Sequence, residues 1–201
     1  MPMTLLALLR HAPTDWNAAK RLQGGTDVPL SDDGEKLFQS VRLPDDLEQA
    51  RLISSPLSRA RRTAFLIAGR EPEIEPRLTE MDFGAWEGQT LAALRTADPT
   101  GMQAEEDRGW YMTPPGGESP WMVWLRVAPL LAELAAADRP IVAVTHKGVI
   151  RAVLARAWGW DFLGRPPARL LSAALHRLRL RPDGTPEILA LNQDLPKADA
   201  S

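Results

Sequence analysis

"LLRHAPTDWN", residues 8–17, decides the fold. It closes a continuous apolar run from Thr4 to Leu9, the pattern of a strand buried on both faces. The run then meets Arg10 and His11, and Pro13 biases Ala12 toward an extended conformation. Asp15 to Arg21 reads as a short helix or turn. A buried strand that ends on two potentially cationic side chains has two explanations. One is a satisfied surface cluster; the other is a pocket for an anion, with a histidine placed to react with it. Neighbours on a strand face opposite sides, so Arg10 and His11 share a pocket only where the strand has already ended.

Outward from this stretch, strands and helices alternate. Ser31 followed by Asp32 and Asp33 predicts a helix N-cap, with the helix running to about Val41. Arg51 to Ser54 reads as a second strand, and "PLSRARRTAFLIAG" (56–69) as a helix that closes on Gly69. A third short strand falls near Glu73 to Glu75. Residues 82–118, rich in Gly, Pro and Trp, read as loop with short helices. Ser119-Pro120 starts a helix that Pro129 must kink or split. "PIVAVTH" (140–146) is the next buried strand and "GVIRAVLARAWG" (148–159) the helix after it. The last elements form a hairpin across "RPDGTP" (181–186), where Leu178 and Leu180 alternate with Arg177, Arg179 and Arg181 as on a half-exposed edge strand. The pattern is α/β, a mainly parallel sheet covered on both faces.

Composition narrows the function. The 201 residues suit one domain, read as 1–195 with a tail at 196–201. Net charge is −2, from 24 basic and 26 acidic residues, so nothing drives the chain toward nucleic acid or an anionic membrane. Any anion site must be local. The absence of cysteine excludes disulfides, thiolate metal sites and a cysteine nucleophile. "MPMTLLALLRH" lacks a basic segment ahead of its short apolar run, and no stretch has the length of a membrane span. The expectation is a cytoplasmic protein. The sequence sets no oligomeric state.

Chemistry gathers at three strand-to-helix transitions: Arg10-His11, "SSPLSRARRTA" (54–64) and "VTHKGVIR" (144–151). Open α/β sheets bind ligands beyond the carboxyl ends of their strands, where helix N-termini favour anions. Arg10, Arg59 and two histidines would make a compact positive site that suits a phosphate monoester. A neutral imidazole is a competent nucleophile, and a protonated second histidine would steady the equatorial oxygens. Glu80 and Asp82 in "LTEMDFGAWEG" (78–88) are the candidates for the general acid that the leaving oxygen needs. Beside these stand plainer assignments. His176 reads as a core or sheet-face residue, and Arg61, Arg62 and Arg156 as solvated faces. The seven tryptophans are packing residues, with Trp86 and Trp110 placed in the loop-rich region where a pocket wall is needed. The glycine pairs of "GGTD" (24–27) and "PPGGES" (114–119) mark turns.

Taken in order, "LLRHAPTDWN…RLQGGTDVPLSDDG", "SSPLSRARRTA", "LTEMDFGAWEG", "PPGGES" and "VTHKGVIR" resemble the histidine phosphatase superfamily, with its phosphoglycerate mutase-like fold, over roughly residues 4–155. The resemblance implies a three-layer α/β/α sandwich with a mainly parallel central sheet. It implies a phosphohistidine intermediate and no metal or organic cofactor. By position, His11 matches the nucleophile, Arg10 and Arg59 the phosphate-binding arginines, His146 the second pocket histidine and Glu80 the proton donor. Asn17 and Gln23 match positions lining the phosphate and substrate mouth. Two residues depart from the pattern: Ala12 and Lys147 each stand where the family commonly has glycine. Ala12 makes a positive φ costly there. Lys147 is an added cation that either favours more anionic substrates or points to solvent, the second being the simpler expectation.

The function expected is a metal-independent phosphomonoester hydrolase acting on a small phosphorylated metabolite. Within the superfamily, length and motifs are similar to those of α-ribazole phosphatases, which implies α-ribazole 5'-phosphate as substrate. Three rivals remain at this stage. A phosphoglycerate mutase would return the phosphoryl group to a bound product. A metal enzyme would use His11, His146 and Glu80 as ligands, although Arg10 and Arg59 beside a divalent cation would be costly. A non-catalytic relative would bind phosphate without turnover. A serine hydrolase finds no support, since no G-x-S-x-G occurs.

Overall fold

The computed structural model describes residues 3–137 and 139–198. Its sheet has six strands: β1 (Thr4–Arg10), β2 (Arg51–Ser54), β3 (Glu73–Ile74), β4 (Ile141–Thr145), β5 (Ala174–Leu180) and β6 (Pro186–Asp194). Their spatial order is β3-β2-β4-β1-β5-β6. β1, β2, β3 and β4 pair in parallel, while β5 and β6 run antiparallel to their neighbours. Seven helices accompany the strands: α1 (Asp15–Ala18), α2 (Asp32–Gln39), α3 (Ser58–Ala68), α4 (Leu91–Ala97), α5 (Pro99–Glu106), α6 (Pro120–Leu134) and α7 (Lys147–Trp158).

Alternation along β1 builds the two cores. Leu6 and Leu8 pack with Val123, Val127 and Leu131 of α6 and Ile150 and Leu154 of α7. Ala7 and Leu9 pack with Phe38 of α2 and with Ala60, Ala64 and Ile67 of α3. The sheet is therefore covered on both faces, and the three-layer α/β/α fold follows from an apolar strand with period two. Successive connections also leave the sheet in opposite directions. From β1 the chain crosses to β2 through α2 on one face, and from β4 it crosses to β5 through α7 on the other. The carboxyl ends of adjacent β1 and β4 thus bound a topological switch point, the usual place for a ligand crevice.

Local signals hold where the backbone itself supplies the reason. Ser31 Oγ accepts the Gly34 amide and caps α2, and Gly69 closes α3 at a φ of 65°. Pro129 does not split α6, which runs unbroken from Pro120 to Leu134. One expectation is corrected: β5 is not the sheet edge, because it lies between β1 and β6 and β6 forms the rim. Its arginines alternate outward as anticipated, but they are paired, Arg177 with Asp46 and both Arg179 and Arg181 with Glu187. The backbone at Pro196 and Ala198 bonds to Arg42 and Ser40. Among the described residues, no helix is long and apolar enough to cross a membrane.

Candidate active site

His11 stands one residue beyond β1. Its amide donates to the Thr145 carbonyl at 2.9 Å, extending the β1–β4 register by one step before the chain turns away. Ala12 sits at negative φ in the core, and its amide donates to Thr63 Oγ1 at 2.8 Å. The methyl group that replaces the expected glycine is therefore accommodated without strain. His11 Nδ1 lies 2.7 Å from the carbonyl oxygen of Ala12. A carbonyl only accepts, so Nδ1 carries the proton and Nε2 keeps its lone pair. Burial, with Arg10 and Arg59 nearby, pulls the imidazole down to about 3, so His11 is neutral at physiological pH.

Arg59, in the first turn of α3, is 0% exposed. Its guanidinium donates to the carbonyls of Gly24 and Thr26, each at 2.8 Å, and Nε donates to His146 Nδ1 at 3.3 Å. The loop offering those carbonyls is held by the Glu87 carboxylate, which accepts from the Gly25 and Thr26 amides and the Thr26 hydroxyl. A Cβ on Gly24, at φ +54°, would come within 1.8 Å of Glu87 Oε1. "GGTD" is a turn, as its composition implies, and that turn fixes Arg59.

His146 follows β4 directly, and its ring centroid is 5.1 Å from that of His11. The expectation that it carries a proton is corrected here. Complete burial comes first, and His11 and the surrounding guanidiniums add to it, holding His146 well below the ordinary imidazole range. Nδ1 faces Arg59, so Nε2–H donates to Ser55 Oγ at 2.8 Å. Neither Arg59 nor His146 lines the cavity in front of His11. They form a hydrogen-bonded floor behind it.

Glu80 is the acid of "LTEMDFGAWEG" that reaches the site. It is 8% exposed, and its carboxyl group accepts from the Met81 amide at 2.9 Å and the Gly148 amide at 3.0 Å. Burial nevertheless raises its pKa above the ordinary glutamate value, outweighing those amides, Arg10 and Arg59. Asp82 is excluded by geometry, since its carboxylate accepts the Gly84 amide and closes a turn away from the cavity. Arg126 of α6 pins this segment, donating to the carbonyls of Arg77, Thr79 and Glu80 while pairing with Glu118.

The cavity measures about 1190 Å³. Arg10, His11, Asn17, Gln23 and Glu80 line its reactive end. Phe83, Trp86, Met102, Met112 and Phe162 supply apolar walls. Asn17 Oδ1 accepts from the Thr14 amide, which leaves its amide nitrogen as the free donor. Gln23 Oε1 is buried with no hydrogen-bond partner among the described residues. Trp86 is a pocket wall and a packing residue at once, whereas Trp110 packs edge-on against Trp121 and Phe162. His176 is buried in the sheet, accepting the Asn192 amide at Nδ1.

Lys147 is exposed, as the simpler expectation had it, and it also borders the cavity together with Arg151, which sequence reasoning did not single out. A signal existed. Like charges four residues apart on one helix face repel, so an unpaired Lys-x-x-x-Arg in the first turns of α7 marks a face that meets an anion. Arg151 lies over the rings of Trp160 and Phe162, 5.1 and 5.2 Å from their centroids, and shares no ion pair among the described residues. Ser55 and Gly148 were also inside quoted motifs without an assigned role. No grouping of three His, Cys, Asp or Glu able to hold a metal ion occurs among the described residues.

A neutral histidine, a buried carboxyl group with a raised pKa and clustered arginines at the switch point of an α/β/α sandwich define an enzyme class that handles phosphoryl groups. The chain belongs to the histidine phosphatase superfamily (branch 1), whose family model matches residues 6–194, and it is a member of the phosphatase branch. It is 36% identical over 185 residues to a glucosyl-3-phosphoglycerate phosphatase of Mycolicibacterium vanbaalenii, covering 82% of this chain and 80% of that one. It is 31% identical over 192 residues to a probable phosphoglycerate mutase of Salmonella paratyphi C, covering 88% and 85%. Among solved structures, a mycobacterial glucosyl-3-phosphoglycerate phosphatase in complex with VO3 superposes with a TM-score of 0.75 at 30% identity, covering 95% of this chain and all of that one.

Proposed function

We propose that the protein hydrolyses a phosphomonoester in two steps through phospho-His11. Nε2 of His11 attacks phosphorus in line, the P–O bond to the leaving group breaks, and Glu80 gives its proton to the departing oxygen. Water then attacks the phosphohistidine while the Glu80 carboxylate takes the proton, which releases inorganic phosphate and restores both groups. Arg10 holds the transferring oxygens, Arg59 braces the Gly24–Thr26 turn and His146 behind the nucleophile, and Asn17 and Gln23 border the path by which the substrate enters. His146 serves as a neutral spacer that orients Arg59. One observation carries this reading. Two titratable groups in one cavity are pushed in opposite directions, the imidazole toward its free base and the carboxyl group toward its acid, which is the division of labour that a nucleophile and a proton donor require.

For the substrate we infer an ester of the phosphoglycerate type, with a carboxylate near the phosphate and a larger organic body. Lys147 and Arg151 border the cavity together with Arg10, and the Mycolicibacterium relative is named for such a substrate. α-Ribazole 5'-phosphate carries no charge besides its phosphate and would leave both cations without a partner. Phosphate release from glucosyl-3-phosphoglycerate, 3-phosphoglycerate, α-ribazole 5'-phosphate and p-nitrophenyl phosphate, with and without chelator, tests the reading. Chelator-insensitive release with kcat/KM highest for a carboxylate-bearing ester is expected. Phosphoglycerate interconversion outpacing phosphate release would replace it with a mutase.

A further inference from the structure

A second cavity of about 660 Å³ lies against the first, between α7, β5 and the 165–172 segment. Arg10, Lys147 and Arg151 border both cavities, so those three cations stand in the partition. Arg165 and Arg169 belong to the second cavity alone, and no carboxylate lines it.

Many arginines elsewhere are paired with carboxylates, as Arg51 is with Glu73, Arg77 with Glu75 and Glu133, and Arg177 with Asp46. None of the five cavity cations shares an ion pair among the described residues. Two of them go further: Arg10 Nε and Arg151 Nε are buried with no hydrogen-bond partner among the described residues. Burial and mutual repulsion lower the pKa of Lys147, with Arg10 and Arg151 as its cationic neighbours and Glu80 opposing them. Folding alone gains nothing from crowding cations in this way; an incoming anion does. Most of the remaining lining is apolar, from Ile150, Trp158, Pro166, Leu170 and Leu171, with Ser172 and the neutral imidazole of His176 beside them. A bare inorganic ion would leave that surface uncovered.

We propose that this cavity is a second anion-binding site, taking an organic anion whose charged group meets Arg165, Arg169 and the shared cations while its apolar body covers Trp158 and Leu170. Arg165 and Arg169 lie outside the reaction cavity, while Arg10, Lys147 and Arg151 are shared with it. The ligand is either a molecule of its own or the far end of the substrate, and the same experiment distinguishes them.

Naphthalene-2-sulfonate is the probe, with the uncharged naphthalene-2-sulfonamide as control. Calorimetric titration uses the full chain with orthovanadate saturating the reaction cavity. The sulfonate should bind under these conditions, at least tenfold more tightly than the sulfonamide and at least tenfold more tightly than to the Arg165→Glu/Arg169→Glu variant. Both arginines are exposed, and hydrolysis of p-nitrophenyl phosphate within twofold of the unsubstituted protein will show that the variant is folded. In turnover assays, a change in kcat at constant KM assigns the site to a separate ligand, and a rise in KM alone assigns it to the far end of the substrate. Absence of sulfonate binding overturns the proposal. So does equal affinity for sulfonate and sulfonamide, or undiminished binding to the charge-reversed variant. Absence of phosphate release would instead sink the phosphatase reading and leave the titration intact.

Discussion

The backbone amide of Gly148 lies 3.0 Å from Glu80 Oε1, at the first turn of α7. That contact sets the position of the proton donor and also opposes its protonation. A helix N-terminus favours a nearby carboxylate by roughly 0.3–1 kcal/mol, rising to about 2 kcal/mol when partly buried. Withdrawing a charged carboxylate from water costs several kcal/mol. Burial therefore wins, and Glu80 keeps its proton to a higher pH than an exposed glutamate.

Gly148→Ala tests the contact directly. A Cβ at this position would lie 2.5 Å from Glu80 Oε1, so the carboxyl group must move. Alanine favours a helix by up to about 1 kcal/mol over glycine, and thermal stability should hold or rise. The kcat for an alkyl phosphate should fall roughly 10- to 100-fold, on the scale of a misplaced general acid. Steady-state kinetics beside a melting curve separate the two effects; unchanged kcat would show that Glu80 is not the donor.

Glu80→Gln removes the proton while keeping the shape. Alkyl monoesters should lose roughly 10²–10⁴ in kcat. p-Nitrophenolate leaves without protonation, so the first step survives and the second, which needs a base to activate water, becomes limiting. Rapid-quench measurement should find a burst approaching one nitrophenolate per active site. A uniform slowing of both substrates without a burst would contradict the assignment.

Acidification gives a third test, with opposite signs for the two groups. His11 is held near 3 in the folded chain against 6.5 when unfolded, so between those values only the unfolded state takes up the proton. Its stabilising contribution is present above 6.5 and is lost as pH falls, by up to about 1.4 kcal/mol per pH unit. His176, held near 4, acts in the same direction. Glu80 behaves inversely: its raised value contributes stability at acid pH that is lost as pH rises through the folded value. Urea unfolding at pH 6.5 and 5 should show a smaller acid loss for His11→Gln than for the unsubstituted protein. Parallel losses would place His11 in solvent.

Thr63→Val addresses the turn that ends β1. Thr63 Oγ1 accepts the Ala12 amide and donates to the Arg59 carbonyl, linking the nucleophile's turn to Arg59. A buried amide left without an acceptor costs about 1–3 kcal/mol. Denaturant unfolding should register that loss, accompanied by reduced kcat. A neutral substitution would mean that the turn is held by other contacts.

The sequence made the strand ends legible because the chemistry there is local. Arg10 and His11 follow an uninterrupted apolar run, and "SRA" and "VTH" stand in the same relation to β2 and β4. Pairing was less legible. Nothing in the alternation of Leu178 with Arg179 says that β6 covers the outer side of β5, since a half-exposed pattern also arises from arginines bonded to Glu187 and Asp46. Lys147 and Arg151 could be placed on one helix face, but only the fold shows that this face meets Arg10. Gly148 carries no sequence signal for its role, because a close approach to Glu80 is a relation between two distant segments.

The central claim is covalent attachment of phosphorus to one imidazole nitrogen. The most direct measurement mixes the enzyme with excess p-nitrophenyl phosphate, quenches in base within milliseconds to preserve an acid-labile phosphoramidate, and maps the adduct by mass spectrometry. One phosphoryl group on the peptide containing His11, and none on the His11→Ala chain, is the expected result. Phosphate on any other residue, or turnover surviving in His11→Ala, would contradict it.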